Sequence, residues 1–139
     1  MPEKKNILFV CTENSCRSQM AEAFARVGAP GLIQAFSAGS QPSGYIHPKA
    51  IAVMEEFGVS LDGHTSKSLL EIPGIEYDYV ITMGCGDECP FIPAKAHEDW
   101  DLPDPKLMSF EQFRQVRDQI GLRVKDLIAR IEASSHANR

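Results

Sequence analysis

The chain has 139 residues, 43% hydrophobic and 24% charged, with a formal net charge of −5. That size and balance suit one small globular domain spanning 1–139. No apolar run is long enough to cross a membrane, and the negative charge argues against nucleic acid as a partner. Met1-Pro2-Glu3-Lys4-Lys5 leads into the first apolar run without the pattern of a secretory leader. With four cysteines, this points to a reducing, cytoplasmic setting in which thiols serve chemistry rather than structure.

Ile7-Leu8-Phe9-Val10 has the length and β-richness of a fully buried strand. Met20, Ala21, Phe24 and Ala25 then recur at helical spacing, and Gly28-Ala29-Pro30-Gly31 breaks that helix. Leu32 to Ala38 reads as a second strand. Pro48 suits the first turn of a helix that carries Ala50, Ile51, Val53, Met54 and Phe57 and ends at Gly58. Ser66 to Ile72 reads as a short helix before Pro73-Gly74. Tyr77 to Met83 is a third strand, 84–94 a loop with at most one helical turn, and Ala96 to Trp100 a short fourth strand. Ser109-Phe110-Glu111-Gln112 has the form of a capping box. It opens a long helix with Phe110, Phe113, Val116, Ile120, Val124, Leu127 and Ile131 on one face, fraying after about Glu132. Alternation of strands and helices implies a four-stranded parallel sheet with helices on both faces and a site at the carboxyl ends of the strands.

Cys11-Thr12-Glu13-Asn14-Ser15-Cys16-Arg17-Ser18 fills the junction between the first strand and the first helix. A loop there collects backbone N–H groups and the positive end of a helix dipole around one point, suited to a tetrahedral oxyanion. A thiol beside a helix N-terminus and an arginine is activated as a nucleophile. The planar fork of Arg17 can hold two oxygens of an anion. Asn14 tolerates left-handed backbone, and the Ser18 hydroxyl is placed to cap the helix or bond the sulfur. Thr12, Glu13, Asn14, Ser15, Cys16 and Arg17 are thus the expected anion-binding residues and Cys11 the nucleophile. The Glu13 carboxylate is expected to face solvent.

The C-x5-R-S loop resembles that of the low-molecular-weight protein tyrosine phosphatase fold. Ser18-Gln19-Met20-Ala21-Glu22 is similar to the arsenate reductases built on it. The likeness runs from Asn6 to about Ile131. It implies Cys11 as nucleophile, Arg17 as anion clamp, Ser18 as thiolate stabiliser and, in Asp104-Pro105, Asp104 as general acid; Asp101 is the weaker alternative. In the phosphatases tyrosines usually follow that Asp-Pro element, whereas Lys106-Leu107-Met108 follows here. Arsenate is therefore the implied substrate. The alternative is a phosphatase hydrolysing phosphate monoesters through a Cys11 phosphocysteine.

Cys85 and Cys89 follow the third strand. At helical i, i+4 spacing their Cβ atoms would be about 5–6 Å apart, so a disulfide needs only modest rearrangement. The resemblance implies a relay from Cys11 through Cys85 to Cys89, reset by a thioredoxin-type protein. The residues themselves supply only three thiols at strand ends and leave the order of Cys85 and Cys89 open. Cys11, Cys16, Cys85 and Cys89 could instead hold zinc, but Arg17 opposes it and no short paired-cysteine knuckle appears. No cofactor or metal is expected. Some members bind potassium beside the loop, at positions matching Asn14, Glu22 and Ser37; Lys67 stands where a ligand aspartate would be expected. A lysine ammonium in that place implies no potassium dependence. His47, His64, His97 and His136 lack metal-ligand spacing and read as surface or loop residues.

Overall fold

The computed structural model describes residues 4–84 and 90–137. Strands β1 (Lys5–Cys11), β2 (Ile33–Gly39), β3 (Tyr77–Thr82) and β4 (Ala94–Asp99) form a sheet in the order β2-β1-β3-β4, with every neighbouring pair parallel. The chain leaves β1 for β2 on one side, then returns past β1 to β3 on the other. Such a reversal opens a crevice at the carboxyl ends of the central strands. Here those ends are Cys11 on β1 and Thr82 on β3, with Val10 registered against Thr82 and Cys11 against Gly39.

Among the described residues, three α-helices complete the fold: α1 (Arg17–Gly28), α2 (Pro48–Glu55) and α3 (Phe110–Ala137). Alternation along β1 divides its residues between the two faces of the sheet. Ile7, Phe9 and Cys11 join the larger core with Met20, Ala21, Val53, Met54, Phe113, Ile120, Val124 and Leu127 from the helices. Leu8 and Val10 join Ala38, Tyr77 and Val80 on the opposite face, closed by Leu69 and Ile72 around the 3-10 turn Leu69–Glu71 and by Ile92. Burial on both faces explains why β1 is apolar from Ile7 to Cys11 instead of alternating. Among the described residues, no helix is long and apolar enough to cross a membrane.

The capping box is present at α3: Ser109 Oγ accepts from Gln112 N–H at 3.2 Å, and Gln112 Oε1 accepts from Ser109 N–H at 3.2 Å. Six of the seven predicted apolar positions are buried, but Phe110 is largely exposed beneath the cations of Lys49 and Arg114. The helix runs past Glu132 to Ala137. The segment 66–72 forms only the single 3-10 turn, because Ser68 and Glu71 cap each other across three residues. The fourth strand begins two residues earlier than predicted and ends before Trp100, which turns into the larger core and packs its ring 5.8 Å from Phe9. Helix α2 stops at Glu55, so Phe57 falls beyond it. Phe57 lies exposed under Arg117, 4.4 Å from the guanidinium carbon, instead of in the core.

Candidate active site

The loop between β1 and α1 is held from outside. The Thr12 carbonyl accepts from Gln41 N–H (2.8 Å), that of Glu13 from Ser43 N–H (3.1 Å) and Ser66 Oγ (2.9 Å), and that of Ser15 from His47 N–H (3.1 Å). Gln19 Nε2 reaches the Asn14 carbonyl at 3.0 Å. With these carbonyls drawn outward, the N–H groups of Glu13 to Cys16 have no partner among the described residues. Asn14 takes φ +52, the left-handed turn that lets successive N–H groups converge. Gly39 makes this curvature possible: a Cβ there would sit 2.6 Å from the Thr12 carbonyl oxygen and 2.9 Å from Asn14 N.

Cys11 ends β1 beneath this loop, and its Sγ lies 2.9 Å from Ser18 Oγ. The direction of that bond follows from its neighbours. Asn14 Oδ1 accepts from the backbone N–H of Lys67 at 2.9 Å, so Asn14 Nδ2 is the group that donates to Ser18 Oγ at 2.8 Å. The serine hydrogen is left to point at Cys11 Sγ. Gln19 fixes Asn14 in turn, with Nε2 within 3.0 Å of Asn14 O, Asn14 Oδ1 and Thr65 O and with Oε1 3.0 Å from His64 Nδ1. His64 lies on a loop, as the sequence indicates, but its side chain is buried in this network. His64 does not stand out in the sequence, since it acts on the loop only through Gln19. Cys16, at the head of α1, is a different kind of thiol. Burial pushes its pKa up to about 12, which leaves it protonated near neutrality.

Arg17 opens α1 and is 4% exposed. Its Nη1 donates to the carbonyls of Met83 (2.6 Å) and Leu102 (3.1 Å), tying the loop to the ends of β3 and of the segment after β4. Its buried Nε has no partner among the described residues. Gly84, at φ +80, permits this placement, because a Cβ would meet Arg17 Nη1 at 2.7 Å and the Leu102 carbonyl at 2.6 Å. Asp104 Oδ2 lies 3.9 Å from Arg17 Nη2, and its Oδ1 accepts from Lys106 N–H at 3.1 Å. Asp104 thus faces the Cys11 loop, whereas Asp101 is exposed and makes no side-chain contact among the described residues. The Glu13 carboxylate is not left to solvent: Lys106 Nζ donates to it at 2.8 Å. Cys85 and Cys89 lie outside the described residues.

Glu22 is buried one turn along α1. Ser37 Oγ donates to its Oε1 at 2.6 Å, Arg26 Nη2 lies 2.9 Å from Oε2, and Lys67 Nζ 3.9 Å from Oε1. These are the positions where the family resemblance implied potassium. The residues do not fit the ion, because the Lys67 ammonium, which also donates to Thr65 O at 3.0 Å, already brings positive charge there. Desolvation lowers the Lys67 pKa, and Glu22 opposes that shift.

The family model for low molecular weight phosphotyrosine protein phosphatase matches residues 6–137. The chain belongs to this family. Within the family, a Synechocystis sp. protein named glutaredoxin arsenate reductase is 45% identical over 130 residues, 91% of this chain and 98% of its own length. A solved arsenate reductase in the phosphate binding state superposes with a TM-score of 0.83 at 45% identity, covering 91% of this chain and 98% of its own. The thioredoxin-dependent arsenate reductase of Corynebacterium glutamicum superposes with a TM-score of 0.77 at 33% identity, covering 94% of this chain and 63% of its own.

Proposed function

We propose that this member of the low molecular weight phosphatase family is an arsenate reductase that works by a thiol relay. Arsenate would occupy the loop, its oxygens bonded by the N–H groups of Glu13 to Cys16 and by Arg17. Cys11 attacks the pentavalent arsenic, an arsenic–oxygen bond breaks, and Asp104 gives the proton with which that oxygen leaves as water. Cys85 then attacks Cys11 Sγ. The electron pair of the sulfur–arsenic bond passes to arsenic, releasing arsenite and leaving a Cys11–Cys85 disulfide. Cys89 attacks Cys85 Sγ, frees Cys11 and leaves Cys85–Cys89, which a dithiol protein of thioredoxin or glutaredoxin type reduces.

The observation that carries this reading is the group of unpartnered donors above Cys11: the loop N–H groups and the buried Arg17 Nε. Two further features support it. Gly84 packs against Arg17, and Cys85 is the next residue in sequence. The relatives that share 33–45% of their residues with this chain and are described above are named arsenate reductases, which favours arsenate over a phosphate ester. The test is NADPH consumption with arsenate, supplied by thioredoxin and its reductase or by glutaredoxin with glutathione and its reductase. Wild type turns over with one of these systems, while Cys85→Ser and Cys89→Ser do not. Equal turnover by both variants would sink the relay. No turnover with either system, beside rapid hydrolysis of p-nitrophenyl phosphate, would favour the phosphatase alternative.

A further inference from the structure

One ion pair at the mouth of the site has no part in that chemistry. Glu13 is the third residue of the oxyanion loop, and Lys106 follows Asp104 by two residues. Their side chains meet at 2.8 Å although 93 residues separate them. Both ends are anchored through the backbone. The Glu13 carbonyl is held by Ser43 and Ser66, and the Lys106 carbonyl lies 3.1 Å from His47 Nε2. His47 Nδ1 accepts from Lys49 N–H at 3.1 Å, so Nε2 of the neutral ring is the donor. The pair therefore joins two fixed segments, one carrying the anion's N–H donors and the other the Asp104 carboxylate. The Glu13 side chain is 29% exposed and that of Lys106 46% exposed, so the pair lies at the rim and not in the core. The hydrogen bond and charge of Glu13, with Asp104 adding to them, hold the Lys106 pKa above the ordinary lysine value.

We propose that the Glu13–Lys106 ion pair is a strap across the mouth of the Cys11 loop that admits inorganic tetrahedral oxyanions and hinders those carrying an aryl group. An inorganic anion needs only the volume between the loop N–H groups and Arg17. An aryl phosphate must also pass its ring between the loop and the Asp104 segment, and the strap has to open to let it through. The inference rests on the reading of the loop as an oxyanion cradle, but it requires neither arsenate reduction nor a reductant.

The strap differs from a simple charge effect in the sign of its response. If Glu13 and Lys106 acted only as separate charges, removing the acid would strengthen binding of every anion and removing the base would weaken it. A strap is undone by either change, in the same direction, and only for the bulky anion. The measurement is protection of Cys11 from iodoacetamide, read on its peptide by mass spectrometry, by inorganic phosphate and by phenyl phosphate. In wild type, phenyl phosphate protects only at several-fold higher concentration. Glu13→Gln, Lys106→Met and the double variant each narrow that gap, by about three- to fivefold for a half-exposed pair, and the double variant by no more than the singles. The charge swap Glu13→Lys with Lys106→Glu restores it, which a disordered loop would not do. An unchanged gap, or parallel shifts of both ligands with opposite sign in the two single variants, would overturn the strap alone. Failure of inorganic phosphate to protect wild-type Cys11 would overturn the cradle and the strap with it.

Discussion

Two polar clusters share helix α1, and Asn14 touches both, yet they are finished to different degrees. Around Glu22 the chain supplies its own counter-groups: Ser37, Arg26, Lys67 and, at 3.7 Å, His64. Around Cys11 it leaves donors without acceptors among the described residues, in the loop N–H groups and the buried Arg17 Nε. A buried polar atom without a partner is costly, on the order of 1–3 kcal/mol. The first cluster is a completed structural network; on the proposed reading, the second is completed by an oxyanion.

That contrast can be broken by substitution. Cys11→Ser is expected to lower kcat/KM for arsenate by on the order of 10^4-fold with an unchanged unfolding midpoint, because the sulfur is a reactant and not a prop. Arg17→Lys keeps the charge but loses the fork, and a loss of about 10^2-fold is expected. Glu22→Gln should reverse the pattern. Denaturant titration should show a loss of about 2 kcal/mol as Ser37, Arg26 and Lys67 lose the buried carboxylate they share, while kcat/KM falls less than about tenfold. A large loss of activity without a loss of stability would erase the distinction between the clusters. Lys67→Ala opens the Glu22 pocket. At fixed ionic strength its activity should rise several-fold with potassium while wild type stays flat; a potassium response in wild type would show that the ammonium does not fill that place.

Smaller effects sharpen the same contrast. Burial lowers the His64 pKa below the ordinary histidine value, partly opposed by Glu22. The unfolded chain then binds the proton more readily than the folded one, so stability present above pH about 6.5 is lost as pH falls below it. His64→Gln should flatten that slope in thermal unfolding between about pH 7 and 5. Cys16→Ala should leave kcat/KM within about twofold, and Cys16 should resist alkylation at pH 8, since burial holds it protonated.

The fold could be read from the sequence because its signals are local. The doubly buried part of β1, Ile7 to Cys11, is apolar throughout, Ser109 and Gln112 form a capping box, and six apolar residues keep helical spacing along α3. The misreadings arose where tertiary contacts overrode pattern. Phe57 and Phe110 are apolar in sequence but lie beneath arginine and lysine, and the 66–72 segment yields to the mutual capping of Ser68 and Glu71. At the site, the loop was legible from its residues and their spacing, and Asp104 only through the family resemblance of Asp104-Pro105. His64, Gly39 and Gly84 were not, because each acts from far along the chain, His64 on Gln19, Gly39 on the loop and Gly84 on Arg17. Glu13 was expected in solvent because its partner lies 93 residues away.

A single turnover of Cys89→Ser, without any reductant, tests the central claim most directly. One equivalent of arsenate should release one equivalent of arsenite and leave one disulfide joining the Cys11 and Cys85 peptides, while the same treatment of wild type leaves Cys85 joined to Cys89. An unchanged thiol count after arsenate, or a disulfide that excludes Cys11 in the variant, would contradict the account.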